Sequence, residues 1–245
     1  MPTVIERLIR EISGEGAPPK TYREGGIHTE NVLSALVLLG LDFLPRREFL
    51  GAVLSQLDGG RQEAKAQLVE QIEQAQISFQ PKFDFRIDGS NDPTKTVKPD
   101  GLIQTPGAFV VIEAKRIRGG LFGQEQLARE FVTTIREAKN KHPLLVLLLG
   151  QGPDVKIENA QGKKHIKQDI IEKLPIVLQK VDSPYDQAAL ESMIDDVVAW
   201  TTWDTVAQIV KQQEEAFDIT DRACPTVKRL AEFTIDVIER HKKHP

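Results

Sequence analysis

The chain has 245 residues, 40% hydrophobic and 28% charged, with a formal net charge of −4. These values describe an ordinary globular chain, long enough to bury its core without staples, and they argue against a globally basic nucleic-acid binder. A single cysteine, Cys224, excludes an intrachain disulfide and a thiolate zinc site and fits a reducing, cytoplasmic setting.

The first residues, MPTVIERLIREI, mix charge with apolar positions, unlike a signal peptide, and predict a short amphipathic helix over 2–12. A Gly- and Pro-rich loop over 13–28 follows. Thr29 then caps a helix that runs from Glu30 to about Leu41. A second helix is expected over 46–57 after Pro45. A third, over 61–76, is polar enough to lie on the surface or face a partner.

The period then changes. Residues 77–87 (ISFQPKFDFRI) alternate as a strand does. A turn over Asp88–Pro93 leads to a second strand over 95–104. The tetrad Thr105-Pro106-Gly107-Ala108 places Pro and Gly where a tight turn needs them, and 109–115 (FVVIEAK) form a third strand. A loop over 119–123 precedes a strongly periodic helix over 124–140. The run 144–149 (LLVLLL) is apolar on both faces, as a central strand is; with its flanks, Pro143 to Gly150, it is far too short to span a bilayer. No membrane association is expected. Residues 151–181 follow no clear period. Three helices are predicted over 187–199, 203–216 and 225–242, either as a separate bundle or packed back on the sheet. The implied division is 1–182, holding the strands, and a helical region over 183–245.

Chemistry concentrates in Pro99-Asp100 and Glu113-Ala114-Lys115. Glu-Ala-Lys occurs three times, at 63–65, 113–115 and 137–139, but the first and last lie in polar helical patterns where Glu and Lys are simply solvated. Only 113–115 ends an apolar strand, behind Phe109-Val110-Val111-Ile112. With Pro106 and Gly107 as loop residues, Gln104 faces Phe109, Leu102 faces Val111 and Asp100 faces Glu113. Opposed residues share a face, and Lys115, two positions beyond Glu113, shares it too. Opposed carboxylates repel, so this pair calls for a cation, and a hard divalent ion such as Mg²⁺ is held by one or two carboxylates plus phosphate and water. The structural alternative is a surface ion cluster at a sheet end. Glu30 can serve as a third acid, or as a helix-start residue favoured by the macrodipole.

The order of helix with Glu30, strand, strand with Pro99-Asp100, strand with Glu113-x-Lys115, helix and strand resembles the PD-(D/E)xK nuclease superfamily, over about residues 27–150. The resemblance implies an α/β fold with a restriction-endonuclease-like core in α-β-β-β-α-β order, here with a helical insertion over about 46–76. It implies that Asp100 and Glu113 bind Mg²⁺ (or Mn²⁺) with the Ala114 carbonyl, with Glu30 joining the metal shell. Lys115 would orient the attacking water and steady charge on the phosphate. A Gln on the following helix is common in that family, and Gln126 is the better match, Gln124 the second. The activity implied is hydrolysis of phosphodiester bonds, expected in DNA, by an endonuclease of restriction, repair or defence type; a homodimer would suit cuts on two strands. The alternative is a silent nuclease-fold module that binds nucleic acid or a protein partner.

Local charge agrees with a phosphate ligand. Between Lys95 and Arg118 the basic residues are Lys95, Lys98, Lys115, Arg116 and Arg118, and the acids are Asp100 and Glu113 alone. Arg46 and Arg47 can add to that field or be merely solvated. Gly150-Gln151-Gly152 lacks the third glycine of a dinucleotide loop, and Gly162-Lys163-Lys164 is not a phosphate-binding P-loop. His28, two residues before Glu30, can approach the metal or be an incidental loop residue, and His142 and His165 stand apart with no zinc spacing. Trp200 and Trp203 are expected in the core or at an interface.

Overall fold

The computed structural model describes residues 30–86, 94–115, 117, 120–159, 162–181, 183–217 and 224–243. The helix predicted over 2–12, the loop over 13–28, His28 and the turn over 88–93 lie outside the described residues. The chain is mixed α/β, with a mixed sheet flanked by helices.

In chain order the elements are α1 (Glu30–Phe43), α2 (Leu50–Ser55), β1 (Asp58–Gly59), α3 (Gln62–Glu70), β2 (Gln76–Phe79), β3 (Phe83–Arg86), β4 (Thr94–Val97), β5 (Gly101–Gln104), β6 (Ala108–Ala114) and β7 (Leu121–Phe122). There follow α4 (Gln126–Ala138), β8 (His142–Leu149), β9 (Asp154–Ile157), β10 (Lys163–His165), α5 (Ile166–Leu178), α6 (Gln187–Val197), β11 (Val198–Thr202), α7 (Trp203–Ala216) and α8 (Cys224–Lys243).

The main sheet runs β1-β11-β8-β6-β5-β2. Its β2-β5-β6 part is antiparallel, whereas β6, β8 and β11 are parallel neighbours. Its β8 strand is central and its described residues from Leu144 to Leu149 are all buried, as its apolar run requires. Every residue of β6 is buried as well. Alternation along β6 sorts these side chains onto two cores. Ala108, Val110, Ile112 and Ala114 join the core built with α1, α2, α3, α7 and α8. Phe109 and Val111 join the core built with α4, α5 and α6. Glu113 and Lys115 continue this second series, so they face α4. Close packing of α1 on α8 depends on Gly40, where an added Cβ would sit 2.1 Å from Thr234 Oγ1.

Several expectations change. The single strand expected over 77–87 is two, β2 in the main sheet and β3 in a hairpin with β4, because the chain turns at Gln80 (φ 42°) and Pro81 has no N–H to continue a ladder. The strand expected over 95–104 divides in the same way, around Pro99. The helix expected over 46–57 is only Leu50–Ser55. The polar helix over 61–76 stops at Glu70 and gives way to a 3₁₀ turn and β2, and its Ala64 and Leu68 pack into the core rather than facing a partner. Lys65, expected in solvent, is buried and donates to the Leu57 carbonyl at 2.9 Å. The loop over 119–123 contains β7, which joins β9 and β10 in a small second sheet.

The region over 183–245 is not purely helical. Its predicted helix 187–199 ends at Val197, and β11 then extends the main sheet beside β8, with Val198 opposite Leu145 and Thr202 opposite Leu149. Its helices α7 and α8 pack back on the sheet through the first core. Among the described residues no helix is long and apolar enough to cross a membrane.

Candidate active site

The β5–β6 hairpin sets the site. Thr105 N–H donates to the Ala108 carbonyl at 3.0 Å, and the ladder pairs Gln104 with Phe109, Leu102 with Val111 and Gly101 with Ile112. The ladder ends there, one step short of Asp100 and Glu113, in the register read from the turn residues. Hydrogen-bonded pairs alternate from 105/108, so a ladder continued by one step would make 100/113 a non-hydrogen-bonded pair, the type whose side chains stand closer.

By the same continuation Pro99 would face Ala114 at a hydrogen-bonding position. Proline has no N–H, so the ladder cannot furnish the Ala114 carbonyl with a donor. The Ala114 N–H finds a side chain instead, donating to Asp100 Oδ2 at 2.8 Å. The two groups of one strand residue point to the same edge, so this carbonyl and the Asp100 carboxylate lie on one side of the strand end.

Asp100, Glu113 and Lys115 are all buried, at 8, 3 and 8% exposure. Lys115 Nζ donates to Glu113 Oε1 at 2.6 Å and stands 4.8 Å from the centre of the Phe122 ring. Gln126, at the start of α4, donates through Nε2 to the same Glu113 oxygen at 2.5 Å and to Glu130 Oε1 at 2.9 Å. Its own Oε1 accepts from Gly123 N–H at 3.0 Å, which fixes the amide orientation. Gln124 is exposed. Glu30 opens α1, a helix of the opposite face, and its side chain lies outside the described residues. The structure thus brings together Asp100, Glu113, Lys115, Ala114 and Gln126.

Glu130 was not singled out by the sequence, where a Glu in a helix reads as solvated. It lies four residues after Gln126, on the stripe of α4 that also buries Leu127, Phe131 and Thr134. An acid on the apolar stripe of a strongly amphipathic helix was the available signal. Burial raises its pKa from 4.5 to about 7, an effect opposed by the Lys115 charge and the Gln126 hydrogen bond. Its Oε2 is buried without a hydrogen-bond partner.

The backbone of Lys115 is pinned from two sides. Its N–H donates to the Leu148 carbonyl at 2.9 Å, and its own carbonyl accepts from Trp203 Nε1 at 2.8 Å. Trp203 is fully buried, and it occupies the junction where β11 turns into α7. Just beyond β8, Gly150 passes so close to the chain after Lys115 that a Cβ there would lie 1.9 Å from the Ile117 carbonyl oxygen. Arg46, considered as a phosphate contact, is occupied instead: it bonds Asp42 at 2.6 Å and the Ala75 carbonyl at 2.9 Å. The side chains of Lys95, Arg116 and Arg118 lie outside the described residues.

Among the described residues no group of three or more His, Cys, Asp or Glu side chains is gathered to hold a metal ion. The set present is two carboxylates and a strand-end carbonyl, all oxygen. That set fits Mg²⁺, which takes one or two carboxylates and completes its shell with water and substrate phosphate. No family model, curated protein or solved structure matches the chain.

Proposed function

We propose that the protein is a metal-dependent nuclease that hydrolyses phosphodiester bonds in DNA, built on a restriction-endonuclease-like core of the PD-(D/E)xK superfamily. One observation carries the reading. Two buried carboxylates, Asp100 and Glu113, sit at the end of one hairpin, Asp100 accepting from the Ala114 N–H and Glu113 lying 2.6 Å from the Lys115 ammonium. A purely structural role explains such a centre poorly, because desolvating two acids and a base costs more than a lone ion pair returns. The order α1, β2, β5, β6, α4, β8 supports the core assignment.

Asp100, Glu113 and the Ala114 carbonyl would hold Mg²⁺, which when bound supplies Lewis acidity to the phosphate and lowers the pKa of a water. The remaining work falls to the chain. Lys115 presents a fixed positive charge where negative charge develops on the phosphate oxygens, in a site dry enough to strengthen the interaction. Gln126 fixes the Glu113 carboxylate. Trp203 and Leu148 hold the Lys115 backbone, so the ammonium is positioned rather than free to roam.

The test is cleavage of plasmid and single-stranded DNA with Mg²⁺ or Mn²⁺ by wild type and by Glu113→Ala. Metal-dependent nicking that disappears in the variant is the expected result. Absence of cleavage by both proteins across several substrates overturns the proposal.

A second reading is a silent module of the same fold that binds nucleic acid or a protein partner. It is favoured by one feature: Glu113 Oε1 already receives both Lys115 and Gln126, and a metal would have to compete with them. Calorimetric titration with Mn²⁺ separates the two, since the silent module takes up no ion at Asp100 and Glu113.

A further inference from the structure

Beside Lys115 lies an open cleft of about 190 Å³, walled by Lys115, Phe122, Gly150, Gln151, Lys156 and Lys163. One wall is the small sheet β10-β9-β7. Its inner face is apolar, with Phe122, Val155 and Ile157 buried. Its outer face is set by register: Leu121 stands beside Lys156, and Lys156 stands directly opposite Lys163. Two like charges opposed on an antiparallel pair destabilise it. Among the described residues neither amine is in an ion pair, and Lys163 Nζ donates only to the neutral Gln151 Oε1, at 2.8 Å. The neighbouring Lys164 differs, since it is paired with Glu172 and lies 3.8 Å from Asp169. Among the described residues Asp154 is the one acid on the cleft wall, and in the ladder it opposes His165 rather than either lysine.

We infer that this cleft holds a stretch of phosphodiester backbone next to the reacting phosphate, with Lys156 and Lys163 as its counter-charges. The assignment rests on the nuclease reading for its direction, because the cleft opens onto Lys115. Its chemistry is the binding of phosphate. A polyanion with repeated phosphates meets the cation at the centre and the pair on the hairpin together, whereas a single phosphate meets one of them. Leu121, 53% exposed beside Lys156, gives apolar surface where a sugar or base would lie. An excess of cations over a shallow cleft also focuses the field that draws a strand in, despite the negative charge of the whole chain.

The experiment measures anisotropy of labelled single-stranded and duplex oligonucleotides in metal-free buffer, over a range of salt, for wild type, Lys156→Gln/Lys163→Gln and the distant control Lys211→Gln. Both lysines are exposed, and thermal unfolding checks that the double variant stays folded. The expected result is a loss of about tenfold or more in affinity at low salt. The slope of log K against log salt should become shallower by about 1.4 for a single strand or about 1.8 for a duplex. Lys211→Gln should match wild type. Unchanged affinity and slope in the double variant overturn the inference. So does a wild type that binds no oligonucleotide but binds inorganic pyrophosphate through these lysines, which would make the ligand a small phosphate compound. Lysine-dependent strand binding by a protein that cleaves nothing would sink the nuclease reading and leave the cleft as a binding site for phosphodiester backbone without a reacting phosphate beside it.

Discussion

Trp203 Nε1 donates a hydrogen bond to the carbonyl of Lys115 at 2.8 Å, across 88 residues of chain. The bond ties the last part of the molecule to the strand end where the candidate centre is assembled. It gives a donor to the carbonyl of the residue that follows the last one of β6.

Trp203→Phe should therefore act twice. Leaving the Lys115 carbonyl without its donor costs about 1–3 kcal/mol, and the smaller ring leaves a gap. For a chain of this size, at about 2–4 °C for each kcal/mol lost, that lowers Tm by roughly 2–12 °C, readable by calorimetry. If the tie also positions the ammonium, kcat should fall more than KM rises. A variant that loses stability but keeps wild-type kcat at a temperature where it is folded would confine Trp203 to packing.

Gln126 is the hinge between Glu113 and Glu130, with both ends of its amide engaged. Substituting a group that orients a ligating carboxylate typically costs 10–100-fold in metal affinity or activity. Gln126→Leu, which keeps volume and removes the amide, should lower kcat by about that factor and leave strand affinity near wild type. Cleavage within twofold of wild type would show that Glu113 is held well enough by Lys115 alone.

Much of this arrangement was readable from residue order. The turn Thr105-Pro106-Gly107-Ala108 indicated the register, which pairs Gln104 with Phe109 and runs as far as Gly101 opposite Ile112, one step from Asp100 and Glu113. The apolar run ahead of Glu113 and the doubly apolar 144–149 marked two inner strands. What escaped were features decided at long range. The run Val197-Val198-Ala199-Trp200-Thr201 is apolar without alternation, and such a run reads equally as a helix end; only its parallel pairing with β8 makes it a strand. The breaks at Pro81 and Pro99 were visible as prolines, but the two sheets they separate were not. Glu130 escaped because helical acids are usually solvated, and the stripe it occupies becomes informative only once α4 is known to lie against Glu113.

Glu130 gives the chain a pH dependence whose sign follows from its raised pKa. A carboxyl that holds its proton more tightly when folded favours the native state in acid. That contribution is full below about 4.5, the ordinary value, and is lost as pH rises through the folded value of about 7. The shift corresponds to a loss on the order of 3 kcal/mol across that window. Glu130→Gln keeps an oxygen for Gln126 and cannot titrate. Urea unfolding in metal-free buffer should show a flatter profile between pH 5 and 8 (roughly the window of the shift) for the variant, with the gain over wild type largest at the alkaline end. Parallel profiles for the two proteins would mean that Glu130 is ionised throughout.

Gly150 tests how tightly the strand ends are packed. A methyl there meets a backbone oxygen, not the tip of a flexible side chain, so relief requires the main chain after Lys115 to move. Overpacking of this kind typically costs about 1–3 kcal/mol. The displaced segment carries Ile117, which lines the same cleft as Lys115 and Lys163. Gly150→Ala should accordingly lower Tm by several degrees, about 2–4 °C for each kcal/mol lost. It should also weaken strand binding, whereas Gly152→Ala, where a Cβ meets nothing within 4 Å, should leave both unchanged. Equal Tm and affinity for the two variants would show that the segment after Lys115 yields freely and does not shape the cleft.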